Sequence, residues 1–509
     1  MKLKRLFQIL LGSFLGQGVS VITQLLVPPF FLRFYGGHGG SGISVYGEWL
    51  ALSASVNYLG MLNYGIQSYA NNEMTIRHNA GDTHGAKVVQ ASALRLLLGL
   101  IAALAVLGSV VFFIPVASWL KLHSVTPADA QLALYLLILQ IAVNMLFTLL
   151  TNGFMMVGLP HQGNYWATGQ RLFSTVAMAV AIYLRASFAV LAGVQLAALL
   201  LFSVLVLGHV KIAMPVLMPN LRHGNWKSIV AILRPSGHFG LIAMGGFLTW
   251  QLPIILIQRT LGAEVTGSFG LVRTVFQMSR QILSIASSTI SQDITELWGK
   301  QDWPQLRKLY DLSERVVLFL IPVVTLSTLL LSPLLFTVWL HKRALYQPEL
   351  CFLMAVISGV LGIKEHKTQF QSASNEHEQL SWIIVVGYSV MLVASLLPIK
   401  LYGLVGYLVT WLVWEIIQTG MVLRLNERLF PAEFRVEAKP LIKLAVFTVV
   451  AFAAAAYPAV LEQRLGLFPG IALALGVVLV LGTAAYYVFG LDEVADRLKT
   501  RMGRRPAVA

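Results

Sequence analysis

The sequence predicts an all-α integral membrane protein with about 14 transmembrane helices, and three observations carry this prediction. Of the 509 residues, 57% are hydrophobic and only 12% are charged, whereas a soluble domain carries about 25% charged residues. Apolar runs long enough to cross a bilayer recur from one end of the chain to the other. An internal repeat, described below, predicts two parallel six-helix lobes around a central cavity, followed by two C-terminal helices.

Fourteen stretches satisfy the length of about 20 mostly apolar residues that a spanning helix needs. They are 6–33, 46–68, 88–115, 130–156, 164–184, 187–209, 236–258, 265–290, 313–338, 346–363, 380–399, 402–423, 440–460 and 467–489. The first stretch contains Gln17 and Gln24 and has no small-residue cleavage site. We therefore interpret it as a retained helix and not as a signal peptide.

The distribution of lysine and arginine predicts the orientation of the chain. With the N-terminus inside, 24 basic residues fall on inner segments and 8 on outer ones. Lys364 and Lys367 are counted here as inner-loop residues after the tenth span. The bias predicts a multi-pass membrane protein with both termini cytoplasmic. It also accounts for the net charge of +15, so no nucleic-acid partner is expected.

Several residues recur in the same order at a nearly constant offset. The pairs are Pro28 with Pro253 (offset 225), Gly47 with Gly270 (offset 223) and Asp82 with Asp302 (offset 220). Each aspartate is a predicted helix N-cap, thirteen residues before an arginine. The repeat predicts an N-terminal lobe at 1–222, a C-terminal lobe at 223–425, and two added helices with a basic tail at 426–509. The alternative is that lipid-facing helices resemble one another by composition.

Polar side chains recur at helical spacing in three of the spans. They are Gln17 and Gln24 in the first, Asn57, Tyr64, Gln67 and Asn71 in the second, and Arg273, Gln277 and Arg280 in the eighth. Steps of three and four residues place each set on one helix face. Hydrogen bonding between helices explains isolated polar residues, whereas continuous stripes favour a hydrated cavity.

The two arginines of the eighth span indicate what that cavity binds. Each arginine at bilayer depth costs roughly 2.5–3.5 kcal/mol unless it meets water, an acid or an anion. Glu415 is the only clearly intramembrane acid by this interpretation. The surplus of positive charge predicts a site for an anionic group, and an arginine fork suits phosphate. The alternative is that Glu415 pairs with one arginine as a structural contact.

The sequence has none of three common motifs for nucleotide binding or hydrolytic catalysis. The chain has no GxxxxGK[ST] loop, no HExxH and no GxSxG, and its single cysteine, Cys351, excludes an internal disulfide. We therefore expect a carrier with no enzymatic activity, no cofactor and no metal site. A membrane glycan polymerase or ligase is the less favoured alternative, because it needs larger outer loops than this chain has.

Two regions resemble the Wzx-like polysaccharide flippase family, within the multidrug/oligosaccharidyl-lipid/polysaccharide exporter superfamily. The residues that carry the resemblance are YGEW at Tyr46–Trp49, SVNYLGMLNYGIQSYANNE at Ser55–Glu73, GD at Gly81–Asp82 and GSFGLVRTVFQMSRQ at Gly267–Gln281. The resemblance implies that the protein flips a polyprenyl-pyrophosphate-linked oligosaccharide across the inner membrane by alternating access, for cell-surface polysaccharide biosynthesis such as O-antigen, lipopolysaccharide or exopolysaccharide.

In that scheme Arg273, Gln277 and Arg280 hold the pyrophosphate, and the stripes of the first two spans contact sugars. The expected partners are the lipid-linked oligosaccharide, membrane lipids, and the polymerase and ligase of the same glycan pathway. Two alternatives share the expected fold. One is an ion-coupled multidrug antiporter, and the other is a lipid II flippase. Glu415 is a candidate coupling acid for the flippase.

Overall fold

A computed structural model describes residues 2–36, 42–79, 81–288, 290, 293–294, 297–298, 301–342, 345–374, 378–431, 433, 439–464 and 467–492. Regular structure in these residues is helical, and none of them forms a β-strand. The helices are α1 (Lys2–Phe34), α2 (Gly42–Asn57), α3 (Gly60–Asn79), α4 (Thr83–Gly108), α5 (Val116–Leu120), α6 (Pro127–Met156), α7 (Pro160–Tyr183), α8 (Phe188–Ala213), α9 (Trp226–Trp250), α10 (Leu252–Leu261), α11 (Ala263–Ser288), α12 (Trp303–Leu340), α13 (Pro348–Ala373), α14 (Glu378–Ala394), α15 (Leu396–Leu429), α16 (Lys439–Arg464) and α17 (Leu467–Val488). Short 3₁₀ turns cover Ser109–Phe113, Pro215–Leu217 and Leu221–His223.

Every one of the fourteen predicted spans overlaps a helix or a pair of consecutive helices. The second span is divided into α2 and α3, and the seventh into α9 and α10. At the two breaks the Asn57 amide donates to Gln251 Oε1 at 3.2 Å, and the rings of Tyr58 and Phe247 meet edge to face. The two helix breaks therefore lie next to each other.

The two shortest predicted connections contain left-handed turns. Arg185, between α7 and α8, has φ of 55°. Gly403 has φ of 60° and ψ of −142°, which interrupts α15 shortly after it begins. Glycine has no Cβ to clash in this region of conformational space, so the helix kinks at Gly403.

The helices have the character of membrane spans. Seven of the described helices are long and apolar enough to cross a membrane by length and composition. Large apolar side chains such as Val106, Val449 and Leu479 are more than two-thirds exposed on their surfaces. Apolar groups exposed on this scale are expected to meet lipid. The prediction of an all-α membrane protein is confirmed.

The Asp82 and Asp302 regions repeat each other in atomic detail. Asp82 accepts a hydrogen bond from Gly85 N and has φ of −80° and ψ of 69°, while Asp302 accepts one from Gln305 N with φ of −81° and ψ of 74°. The preceding residues, Gly81 and Gln301, are both left-handed. Four backbone hydrogen bonds around Asp82 recur around Asp302, each 220 residues later. Both predicted N-caps are confirmed.

By compactness the chain divides into residues Met1–Gly270 and Leu271–Ala509, which we call units 1 and 2. In unit 1, α6 packs against α8, α1 against α7, and α3 against α4 and α9. A core cluster of unit 1 joins α3, α4, α6 and α8. In unit 2, α13 packs against α12 and α15, and α17 against α12 and α16. The predicted lobe boundary at 222/223 stays a prediction from the repeat.

One sequence-based assignment is wrong. Lys364 and Lys367 do not lie in an inner loop, because α13 continues through them to Ala373 and buries both side chains. Hydropathy ended this span at residue 363, where the charged run Lys-Glu-His-Lys begins. The helix continues because three of these four side chains find charged partners, as described next.

Candidate functional site

The arginine face of α11 consists of Arg273, Gln277 and Arg280. Steps of four and then three residues place the three side chains on one face of the helix. All three are partly buried. Arg280 on this face meets Glu365 of α13, so the face lies toward α13.

Arg280 is bound by an acid that sequence reasoning missed. Its Nη1 forms a salt bridge with Glu365 Oε1 of α13, and each side chain is 21% exposed. The other carboxylate oxygen, Glu365 Oε2, is buried and accepts no hydrogen bond. The pair is therefore held through a single carboxylate oxygen.

Glu415 lies at the centre of a completely buried network. Its Oε2 pairs with the Lys364 ammonium, and its Oε1 accepts from Tyr388 Oη and, at 3.4 Å, from Trp411 Nε1. Lys364 also donates to Gln418 Oε1 at 3.1 Å. Glu415 therefore pairs with a lysine of α13 and not with an arginine of α11, contrary to the alternative considered above.

A second buried network ties α13 to α12. Lys367 pairs with Glu314 and lies 4.2 Å from the centroid of the Tyr310 ring. His366 Nε2 lies 2.9 Å from Ser313 Oγ, where the tautomer decides which atom donates. Asn426 of α15 donates to the Lys367 carbonyl at 3.1 Å. Like the Glu415 network, this arrangement satisfies its buried charges internally.

The four-residue run Lys364–Lys367 therefore connects α13 to three other helices through three ion pairs. The view that Glu415 is the only intramembrane acid is wrong, because Glu314 and Glu365 also lie within helices of unit 2 and are paired there. A signal was present in the sequence. Consecutive helical residues point about 100° apart, so a run of four charged or polar residues inside a helix reaches partners on every side.

The polar residues of the first three helices have separate partners. Gln67 Nε2 donates to the Met145 carbonyl at 2.8 Å, and Asn71 Nδ2 lies 3.1 Å from Met155 Sδ, so both amides tie α3 to α6. Gln24 Nε2 contacts Ser20 within α1 at 3.3 Å. Gln17 and Asn57 are exposed. Tyr64 lies outside the residues whose side chains the structure describes.

Acidic and phenolic groups near the helix ends of unit 1 anchor the loops there. Buried Glu48 accepts hydrogen bonds from the backbone N–H groups of His123 and Ser124. Asp129 accepts from Phe188 N at 3.0 Å and from Ala189 N at 3.1 Å, at the start of α8. Tyr35 donates to the Ala186 carbonyl. Burial, together with the charge of Asp129, raises the pKa of Tyr35 to about 12.

A cavity of about 580 Å³ opens beside the second network of unit 2. It is lined by Trp298, Gln371, Glu378, Gln379, Leu425, Arg428 and Leu429. Gln371 also donates to Asn426 Oδ1 at 2.6 Å. In the part of the chain that the structure covers, no three His, Cys, Asp or Glu side chains are grouped to hold a metal ion.

Comparisons with known proteins identify the fold. No protein-family model and no curated protein matches the sequence. Among solved structures, the chain is similar to an inward-facing multidrug resistance MATE family transporter of the MOP superfamily, with a TM-score of 0.62 and 13% identity over 81% of this chain and 94% of that one. It is also similar to the lipid II flippase MurJ in an inward closed conformation, with a TM-score of 0.67 and 12% identity over 94% and 99% of the two chains.

A third similar structure is the MATE multidrug transporter DinF-BH, with a TM-score of 0.58 and 15% identity over 84% of this chain and 95% of that one. These identities are low, and they establish the fold. The chain has the fold of MOP-superfamily transporters, and the proteins to which it is similar are transporters and a flippase. The narrower Wzx-like assignment stays a prediction.

Proposed function

We propose that the protein flips a polyprenyl-pyrophosphate-linked oligosaccharide across the membrane by alternating access, with Arg273 and Arg280 binding the pyrophosphate. The observation that carries this proposal is the arginine face of α11, where two guanidinium groups one heptad apart flank Gln277. A guanidinium presents paired N–H donors that match two phosphate oxygens. Holding an arginine at bilayer depth costs roughly 2.5–3.5 kcal/mol unless it meets water, an acid or an anion; Glu365 meets Arg280 in this structure, and an anionic cargo can take the same place.

One further observation supports a lipid-linked cargo. The match to the lipid II flippase extends over 94% of this chain, against 81% and 84% for the two multidrug transporters. Exposed Gln17 and Asn57 and half-buried Gln24 remain our proposed sugar contacts. Gln67 and Asn71 belong to the same proposal, but their amide nitrogens are bound to α6 and their carbonyl oxygens are buried, so these oxygens can reach a sugar only when α3 separates from α6. Lipid II itself is an alternative cargo, because it presents the same kind of phosphate group to the arginines.

An ion-coupled multidrug antiporter is the second candidate, because two of the three structures described above are multidrug transporters. Glu415 would then bind the coupling cation. The Lys364 ammonium already neutralises this carboxylate, and Tyr388 and Trp411 bind its other oxygen. This arrangement favours the flippase, whose cargo is an anion.

The test is the sidedness of lipid-linked oligosaccharide in a deletion strain of the native host, complemented with variants. Cells are treated with an impermeant glycan-modifying reagent before and after permeabilisation. We expect Arg280→Ala to confine the glycan lipid to the cytoplasmic face. Arg280→Lys should restore flipping in part, because lysine keeps the positive charge but lacks the paired N–H donors of the guanidinium. Arg222→Ala, which removes an exposed arginine outside the spans, is the matched control.

Three results would contradict the proposal. Normal export by both Arg273→Ala and Arg280→Ala would remove the role of the arginine face. Accumulation of glycan lipid on the outer face of the deletion strain would point to polymerisation or ligation. Unchanged glycan lipid together with new drug sensitivity would favour the antiporter.

A further inference from the structure

We infer that the Glu365 carboxylate is a resident counter-ion of Arg280 that holds the arginine while the site is empty and is displaced by the diphosphate of the cargo. This inference deepens the proposed function and rests on its assignment of a diphosphate to Arg280. The evidence is a difference among the three ion pairs that the Lys364–Lys367 segment makes.

The first difference is exposure. The side chains of the Lys364–Glu415 pair are 6% and 0% exposed, and those of the Lys367–Glu314 pair are 1% and 7% exposed. Both side chains of the Arg280–Glu365 pair are 21% exposed. Of these three pairs, only Arg280–Glu365 is therefore accessible to a ligand without prior movement of the helices.

The second difference, between Glu365 and Glu415, is how firmly the carboxylate is held. Both oxygens of Glu415 are bound, one by Lys364 and the other by Tyr388 and Trp411. Glu365 is bound to Arg280 through Oε1 alone, and its Oε2 is buried without a hydrogen-bond donor. A buried oxygen without a partner carries an uncompensated desolvation cost. Glu365 is accordingly the less firmly held carboxylate of the two.

A displaceable counter-ion suits a carrier for an anion. An arginine facing an empty, low-dielectric site is costly, and a neighbouring carboxylate removes that cost between transport cycles. A diphosphate offers several oxygens and more negative charge than a carboxylate bound through one oxygen, so it is the stronger partner for a guanidinium fork. Competition from Glu365 then weakens binding of the cargo enough for it to be released on the far side.

The test measures binding of inorganic pyrophosphate to the purified full-length protein by isothermal titration calorimetry. We expect Glu365→Gln to bind pyrophosphate about tenfold more tightly than the unchanged protein, since a charge-assisted hydrogen bond is worth roughly a factor of ten. Glu264→Gln is the matched control, because it removes the same charge from an exposed position in the first turn of α11. It should bind as the unchanged protein does.

The double variant Glu365→Gln with Arg280→Gln should lose the gain, which shows that the gain acts through Arg280. Glu365→Ala is a second way to remove the carboxylate, and gel filtration and the thermal midpoint establish that each variant is folded. Equal or weaker pyrophosphate binding by folded Glu365→Gln and Glu365→Ala would overturn the inference. So would the lack of any measurable pyrophosphate binding by these variants at millimolar concentration.

The flipping assay on the same variants separates the two hypotheses. If Arg280→Ala blocks export but Glu365→Gln gains no affinity, the counter-ion inference fails and the flippase proposal stands. If Glu365→Gln gains affinity but the arginine variants export normally, the anion site exists and the flippase proposal fails.

Discussion

At the residue scale, the buried charges of unit 2 differ in what they do. Lys364 and Glu415 bind each other with neither side chain more than 6% exposed, and hydrogen bonds from Tyr388 and Trp411 complete the carboxylate. Such a pair connects α13, α14 and α15 and has no open coordination position for a cation. Its expected role is to fix how these helices pack.

This role predicts how substitutions at the pair affect stability. Glu415→Gln or Lys364→Met alone should lower the free energy of unfolding by about 3–5 kcal/mol, because each leaves an uncompensated buried charge or polar group. The double variant, Lys364→Met with Glu415→Leu, should recover most of that loss. The thermal midpoint of the purified protein checks this. The control is Glu378→Gln, at an exposed position at the start of α14.

Two outcomes would count against this view. If neither single variant lowered the midpoint, the pair would not be structural. If folded Glu415→Gln lost ion-dependent transport while retaining its stability, the carboxylate would be a coupling group.

At the element scale, α2 meets the first two turns of α11 at a backbone-to-backbone contact. A Cβ on Gly47 would overlap the Ala263 carbonyl oxygen, and one on Gly267 would overlap the Ile43 carbonyl oxygen. Glycine is required at these two positions because the backbones of α2 and α11 approach closely, and not because of the backbone conformation. Small residues at such positions let membrane helices pack closely. Gly47 is also one of the residues that the repeat pairs with α11.

This contact predicts opposite effects of the same substitution at two glycines. Gly47→Ala should prevent close packing of α2 on α11 and lower the thermal midpoint or the folded yield. Gly99→Ala should raise the stability by up to about 1 kcal/mol, because alanine is the better helix former and a Cβ on Gly99 meets nothing within 4 Å. The thermal midpoints of the two purified variants test this prediction. Equal midpoints for both would show that α2 and α11 do not meet as closely as described.

At the scale of the whole molecule, the orientation in the membrane follows from the basic residues. Moving Lys364 and Lys367 from the inner loops into α13 leaves 22 inner basic residues against 8 outer ones. The bias is therefore preserved, and cytoplasmic termini remain the prediction. The two lysines no longer contribute to this bias, because a charge that is paired inside a helix bundle lies at neither membrane surface.

Labelling of single cysteines checks the orientation. In a background with buried Cys351 replaced by serine, Arg185→Cys and Lys342→Cys should react with an impermeant maleimide in intact cells. Arg222→Cys and Lys308→Cys should react only after permeabilisation. All four positions are exposed in the structure, so access depends on the side of the membrane alone. The reverse pattern would place the termini outside.

The spans, the N-caps and the repeat were predictable because each depends on residues close together in the chain. A helix satisfies its own backbone hydrogen bonds, so an apolar run of sufficient length is enough to predict a span. Asp82 and Asp302 cap helices through N–H groups three residues away. The position of each arginine on α11 followed from helical periodicity in the same way.

The partners of the charged residues were decided by the tertiary structure. Glu415 binds Lys364, Lys367 binds Glu314, and Arg280 binds Glu365 across 51, 53 and 85 positions of the chain. Hydropathy treats a charged run as the end of a span because it has no information about opposite charges on neighbouring helices. The sequence by itself therefore determined the fold class and the arginine face. Only the packing of α11, α12 and α15 against α13 decided which acid binds Arg280, because an ion pair depends on which helix faces meet.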